Sequence, residues 1–212
     1  MTATTPRLHE PWQGQRRQRY AATVGMWLFL GSEALLFGGM LVAFLLCRSL
    51  QPEGFATAAA ETDIAIGTAN TLLLLTSSAA VAVGAEAARQ GLRRWALPAL
   101  GATLALGLAF LVLKGFEWRS DILGRLWPGP GFRLHAPGSE MFFAFYWALT
   151  GLHAAHMVGG LGAISWFTVE VLLGRRSLRS AAFEAMALYW HLIDIVWVFL
   201  FPLLYLDGRS GA

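Results

Sequence analysis

The sequence predicts an all-α, polytopic membrane protein with five transmembrane helices. Of its 212 residues, 56% are hydrophobic and only 14% are charged, and the mean hydropathy is +0.53. A soluble globule of this size would need more charged residues to cover its surface. Apolar runs lie at about 21–47, 64–88, 95–116, 141–173 and 182–206. Each reaches the roughly 20 residues that span the hydrocarbon core of a bilayer.

The sequence divides into one membrane domain and two short ends. Residues 1–20 are polar and lack an apolar period, which predicts an extended cytoplasmic arm. Residues 21–206 form the predicted five-helix domain, and residues 207–212 an external tail. The first apolar run is too long for a signal peptide and lacks a small-residue cleavage site, so it is expected to be retained. A single cysteine, Cys47, excludes an internal disulfide and cysteine-based metal motifs.

The connections between the runs also have sequence signals. Thr62 or Asp63 can cap the second helix, and residues 86–94 form a tight basic turn before the third. Glu53 and Glu61 are assigned to an external loop. The sequence WPGPG excludes helix continuation through the connection 119–140. Near the end of the last run, Pro202 is expected to kink or end the helix.

The distribution of basic residues predicts the orientation of the chain. One side of the five-span arrangement has more of them than the other, which places the N terminus in the cytoplasm and the C terminus outside. These residues lie in short turns and not on a continuous face, so a nucleic-acid partner is not expected. The cytoplasmic set is Arg7, Arg16, Arg17, Arg19, Arg89, Arg93, Arg94, Arg175, Arg176 and Arg179.

Ionisable residues inside the apolar runs are the candidate functional residues. A charge near the bilayer centre costs several kcal/mol on insertion scales unless it has a partner or a wet cavity. Counting at ~1.5 Å per residue places these groups within about two turns of the midplane, which predicts one shared polar site between helices. They are Glu33, His153, His156, His191 and Asp194.

Three interpretations of this predicted site remain open at this point. The groups can form a hydrogen-bonded network that fixes helix register. The histidines can ligate haem or iron, although the Glu-x-x-His pair of di-iron bundles is absent. The groups can also form a proton relay or a lipid-headgroup cleft. A hydrolase is rejected, because no third group orients a nucleophile and a base.

Two further patterns predict how the helices meet each other and the bilayer surface. Lys114, Glu117 and Arg119 close the third run and are expected to snorkel toward the membrane interface. Small residues are expected to let helices approach closely. These are Gly31, Gly38, Gly39, Gly151, Gly159, Gly160 and Gly162.

Five segments resemble subunit III of haem-copper oxidases, in the same order along residues 20–206. They are GMWLFLGSEALLFGG, NTLLLLTSS, KGFEW, GSEMFFAFYWALTGLHAAHMVGG and FEAMALYWHLIDIVWVFLF. Longer members of that family have seven spans, and this chain resembles the five-span form that lacks the first two. The resemblance implies a non-catalytic bacterial inner-membrane subunit. It would carry no haem or copper, pack against the large redox subunit I, hold phospholipid in a cleft, and support proton uptake while its complex reduces O2 to water.

The resemblance also assigns individual residues. Glu33 matches the membrane glutamate of the first shared span, and His153 and His156 match the two histidines of TGLHxxH. The second of these lies by the lipid cleft in the family. His191 and Asp194 match a YWHFxD segment. In the last helix, Glu184 matches the opening glutamate.

Other classes remain as alternatives to an oxidase subunit. The fourth run also resembles the subunit III-like protein associated with bacterial nitric oxide reductases. A haem-binding membrane anchor would use His153 or His191 as an axial ligand and would be coloured. A small proton-coupled transporter would commonly show paired repeats, and none is visible in the sequence. Whether the electron donor is cytochrome c or quinol does not follow from the residues.

Overall fold

The computed structural model describes residues 15–178 and 180–207, which form helices and turns with no strand. Five helices are long and apolar enough to cross a membrane, which confirms the all-α, five-span prediction. A sixth, α2, is short. The helices are α1 (Gln15–Leu50), α2 (Pro52–Ala60), α3 (Ile64–Gln90), α4 (Arg93–Leu123), α5 (Ser139–Leu172) and α6 (Ala181–Tyr205).

Four of the long helices form a closed ring. α3 contacts α4, α4 contacts α5, α5 contacts α6, and α6 contacts α3. α1 lies outside this ring, against α5 and α6, and does not contact α3 or α4 within the described residues. Among the described residues, the first two long helices, α1 and α3, therefore do not pack against each other, because α3 belongs to the ring and α1 does not.

The segment after α1 is a helix and not the external loop that the sequence predicted. α2 begins with Pro52 at its first position and buries Phe55 completely. Gly54 allows α2 to contact the residues just before α5, since a Cβ at Gly54 would lie 1.9 Å from the carbonyl oxygen of Pro137. Ser139 donates a hydrogen bond to the Gly54 carbonyl at 3.0 Å. The short helix thus closes one end of the bundle, called the α2 end below.

Other boundaries differ less from the prediction. α4 continues to Leu123, so the connection to α5 is shorter than expected. α1 begins at Gln15, while 1–14 of the predicted arm and 208–212 of the predicted tail 207–212 lie outside the described residues. The predicted cap of α3 is confirmed at Asp63, whose carboxylate accepts from the backbone N–H groups of Ala65 and Ile66 at 2.9 and 3.1 Å.

The packing of α1 differs from that predicted from its glycines. α1 buries a stripe of Leu30, Phe37 and Phe44, spaced seven residues apart, against the ring. A Cβ added at Gly31, Gly38 or Gly39 of α1, or at Gly151 or Gly162 of α5, would meet no atom within 4 Å, so these glycines permit no close helix approach within this chain. Close approach is confirmed at Gly160, where a Cβ would lie 3.1 Å from the Trp190 ring.

Candidate functional site

Glu33 and His156 form a pair where α1 meets α5. Nε2 of His156 lies 2.8 Å from Oε2 of Glu33, and the two side chains are 17% and 16% exposed. The ring of Phe37 packs edge-on against the imidazole, with centroids 5.3 Å apart. We call this pair and its surroundings the α1–α5 seam. The pair links α1 to the ring by a side-chain hydrogen bond and remains accessible from outside the bundle.

The proton on His156 Nδ1 is assigned from its other hydrogen bond. This nitrogen lies 2.8 Å from the carbonyl oxygen of Leu152, which can only accept. Nε2 then either accepts from the protonated Glu33 acid or, in the imidazolium, donates to the Glu33 carboxylate. Both arrangements have no net charge, which lowers the cost of placing the pair at membrane depth.

His191 lies at a second position, between α3 and α6. Its Nδ1 is 2.7 Å from the hydroxyl oxygen of Ser78. The imidazole also lines a groove of about 310 Å³, together with Arg89, Glu184 and small apolar side chains. Glu184 is exposed, lies in the first turn of α6, and has no hydrogen bond or ion pair with Glu33 or His156 in the described part of the chain.

His153 and Asp194 are both buried, His153 apart from these two places and Asp194 close to Ser78 at the second. The His153 ring is fully buried between Phe110 and Trp197, at centroid distances of 5.5 and 5.0 Å. Neither of its nitrogens has a hydrogen-bond partner among the described residues, and the same holds for both oxygens of Asp194. Ser78 lies near the Asp194 carboxyl group, but its hydroxyl group forms its hydrogen bond with His191.

The predicted single polar site is therefore not formed. Glu33 and His156 meet, as expected, but His191 bonds to α3 and His153 faces the interior of the ring. The physical reason lies in helix geometry: residues three apart differ by about 60° around the axis, which is enough for one to face the core and the other a neighbouring helix.

A larger polar network lies at the α2 end, where the sequence predicted snorkelling side chains. Lys114 and Glu117 are each 1% exposed, so that prediction is wrong for both. Nζ of Lys114 donates to Oε2 of Glu117 at 3.1 Å, and to the hydroxyl oxygens of Tyr146 and Tyr205 at 3.1 and 2.6 Å. The network joins α4 to α5 and α6 through charged hydrogen bonds, which are stronger than neutral ones.

Asp121 completes this network, which we call the lysine network: Lys114, Glu117, Asp121, Tyr146 and Tyr205. The hydroxyl oxygen of Tyr146 lies 2.8 Å from both Oε1 of Glu117 and Oδ2 of Asp121. Tyr205 donates to Oε1 of Glu117 at 2.7 Å. One sequence signal could have identified the cluster, since 114, 117 and 121 follow the i, i+3, i+7 spacing of one helix face.

Metal ligation has no geometric support in the part of the chain that the structure describes. No group of three or more His, Cys, Asp or Glu side chains there could hold a metal ion. Histidines and acids instead form one pair, one bond to serine and one lysine-centred network. Fold and side-chain arrangement together define a multi-pass helical membrane protein whose intramembrane polar groups are distributed over several helix contacts.

Comparison with known proteins identifies the family. The model of the family "Cytochrome c oxidase subunit III" matches residues 13–209. This chain therefore belongs to the cytochrome c oxidase subunit III family, as its sequence segments indicated.

Individual relatives agree with this assignment. Cytochrome c oxidase subunit 3 of Alkalihalophilus pseudofirmus is 33% identical over 192 residues, which cover 89% of this chain and 87% of the relative. The protein of the same name from Bacillus subtilis is 33% identical over 195 residues, with 89% and 87% covered. A third relative, the haem-copper oxidase subunit I+III of Aeropyrum pernix, is 29% identical over 188 residues, which cover 85% of this chain and 22% of that protein.

Proposed function

We propose that this chain is a non-catalytic subunit III of a respiratory haem-copper terminal oxidase and supports a complex that reduces O2 to water. The single observation behind the proposal is the family match over nearly the whole chain, residues 13–209. The haem and copper of that complex would lie in partner subunits. Association with a nitric oxide reductase is not favoured, because the relatives described above are named as oxidase subunits.

The principal partner would be the large redox subunit I. In the Aeropyrum pernix relative, subunits I and III are named as one protein, which supports direct packing between the two parts. Haem would then belong to the partner and not to His153, whose ring is enclosed by Phe110 and Trp197. The chain would lie in the bacterial plasma membrane, with the N terminus in the cytoplasm and the C terminus outside, as the basic residues predict.

Phospholipid is the proposed ligand of the α1–α5 seam. α1 packs against the ring through one apolar stripe, and many of its other large hydrophobic side chains are exposed. Acyl chains can therefore cover an apolar surface there. The Glu33–His156 bond fixes the position of α1 beside α5. Bound lipid would in turn hold the subunit against its partner and support proton uptake by the complex.

A complex depleted of this chain tests the proposed function. Because the chain would hold no redox centre, the depleted complex should keep its haem spectrum and begin turnover. It should then take up protons more slowly at higher pH and inactivate after fewer turnovers. Oxygen consumption over time, compared with the intact complex, measures both effects. Immediate loss of all activity, accompanied by loss of a haem signal from the spectrum, would contradict the proposal and favour the haem-anchor alternative.

The lipid assignment has its own test in the variant His156→Leu. Losing the bond to Glu33 should loosen α1 and lower the phospholipid content of the purified complex, while assembly persists. His135→Leu, in the exposed connection between α4 and α5, is the matched control and should retain the parental lipid content. Unchanged lipid in His156→Leu would leave the pair with a packing role only.

A further inference from the structure

The lysine network contains more oxygen and nitrogen contacts than its ordinary protons can fill. Six donor–acceptor contacts of 2.6 to 3.1 Å connect its five side chains. A charged lysine supplies three protons and each tyrosine supplies one, which makes about five in the ordinary ionisation states. One contact therefore lacks a proton if both carboxyl groups are ionised.

The unfilled contact lies at Tyr146. Its single hydroxyl proton cannot point at Oε1 of Glu117 and Oδ2 of Asp121 together, although both are 2.8 Å away. With two carboxylates, one of these contacts would set two oxygen lone pairs against each other in a buried site. Such a contact is repulsive, and leaving buried polar groups unpaired costs roughly 1 to 3 kcal/mol or more.

We propose that the lysine network binds one additional proton, which resides on Asp121 and is donated to the hydroxyl oxygen of Tyr146. Tyr146 then donates to Glu117, and all six contacts are filled. The same proton balances the charge: Lys114 and Glu117 cancel, and Asp121 is neutral. Without it the network would have a net negative charge in a buried site, which is costly.

Asp121 is the better location for the proton than Glu117. Both oxygens of Glu117 already accept bonds, from Lys114 and from Tyr205, and such bonds favour the ionised form. Asp121 has no contact with Nζ of Lys114 and is 6% exposed, against 1% for Glu117, so it lies nearest the water at the α2 end. The groups facing it are Lys114 and Glu117 on α4, Tyr146 on α5, Tyr205 on α6 and the charge of Asp63 at the start of α3.

The site thus makes the stability of the chain depend on pH at the α2 end, whether or not the oxidase assembles. The folded chain holds a proton on Asp121 that the unfolded chain releases, so stability falls as pH rises. The arrangement needs no metal or water. It is a proton-binding site built from three helices, distinct from the α1–α5 seam.

Infrared spectroscopy of the full-length chain in mild detergent tests the proposal. The variant Asp194→Asn, with ¹³C-labelled aspartate carboxyls, leaves Asp121 as the one buried aspartate among the described residues, since Asp63 is exposed and Asp207 faces Arg48. We expect a ¹³C-shifted band of a protonated carboxyl group that disappears as pH rises. Absence of that band at neutral pH would overturn the proposal.

A pair of carboxyl-to-amide variants assigns the proton. Asp121→Asn should remove one protonated-carboxyl band and make the unfolding temperature less dependent on pH, because the amide N–H replaces the acid as donor to Tyr146. Glu53→Gln, on the exposed face of α2, should change neither. Two results would contradict the assignment. Either the band persists in Asp121→Asn, or the Asp121→Asn variant fails to fold while Glu53→Gln folds.

Discussion

The α1–α5 seam and the lysine network accommodate ionisable side chains in this membrane protein in different ways. The seam pairs one acid with one histidine, half-buried and in the middle of helix α1. The lysine network places a lysine and two acids in a nearly dry site at the end of the bundle. Glu33 stands out in the sequence as a charge inside an apolar run, and it forms a single hydrogen-bonded pair. Lys114 and Glu117 look like ordinary interfacial residues in the sequence, and they are more deeply buried than Glu33.

The difference follows from how many partners each site supplies. The pair at the seam needs one hydrogen bond between two helices and can face lipid in a neutral form. Lys114 needs three acceptors, because an ammonium group in a dry site must have its donors filled. Only a position where three helices converge supplies them. The network should therefore determine whether the bundle folds, whereas the pair should determine where α1 lies.

The largest effect is expected from Lys114→Met, which leaves Glu117 buried without its cation. Breaking a buried ion pair from one side costs about 3 to 5 kcal/mol. The double variant Lys114→Met/Glu117→Leu should recover part of this loss, because both charges are removed. Thermal unfolding in detergent measures both. Equal stability of the parent and Lys114→Met would show that the network does not stabilise the bundle.

A matched pair of tyrosine variants should give a smaller and graded effect. Tyr205→Phe removes a bond to Glu117 and an acceptor for Lys114, and hydrogen bonds to charged groups are worth about 1.5 to 3 kcal/mol. Tyr189→Phe removes one neutral bond, to the carbonyl of His156, worth roughly 1 kcal/mol. The two free energies of unfolding should rank in that order. A larger loss in Tyr189→Phe would reverse the comparison between the two sites.

The smallest effect on stability is expected from Glu33→Gln. The amide keeps a hydrogen-bonding group beside His156, so the free energy of unfolding should change by less than about 1 kcal/mol. Chemical labelling distinguishes the two sites more sharply. A hydrophobic carbodiimide in native membranes should modify Glu33, which is accessible from outside the bundle, in preference to the buried Glu117. Glu33→Gln should abolish most labelling; equal modification of Glu53 and Glu61 would contradict this.

Individual residues show how far sequence reasoning reached at the sites. Glu33 and His156 were assigned to one shared polar site by counting along the helices, and the structure joins them directly. His191 and Asp194 were expected to join them, but their helix α6 turns those positions toward α3 and the interior. α2 was missed because its nine residues are too short for a spanning run and its burial depends on contact with the start of α5.

The sequence by itself determined the class of protein, the five spanning helices and the family, because hydrophobicity, helix length and short motifs are local properties of the chain. Tertiary structure alone decided that α1 lies outside the ring and that Lys114 is buried. Those outcomes depend on the angle at which each helix faces its neighbours. The burial of Lys114 depends on partners from α5 and α6 that are distant in sequence. The sequence of α4 alone therefore cannot predict it.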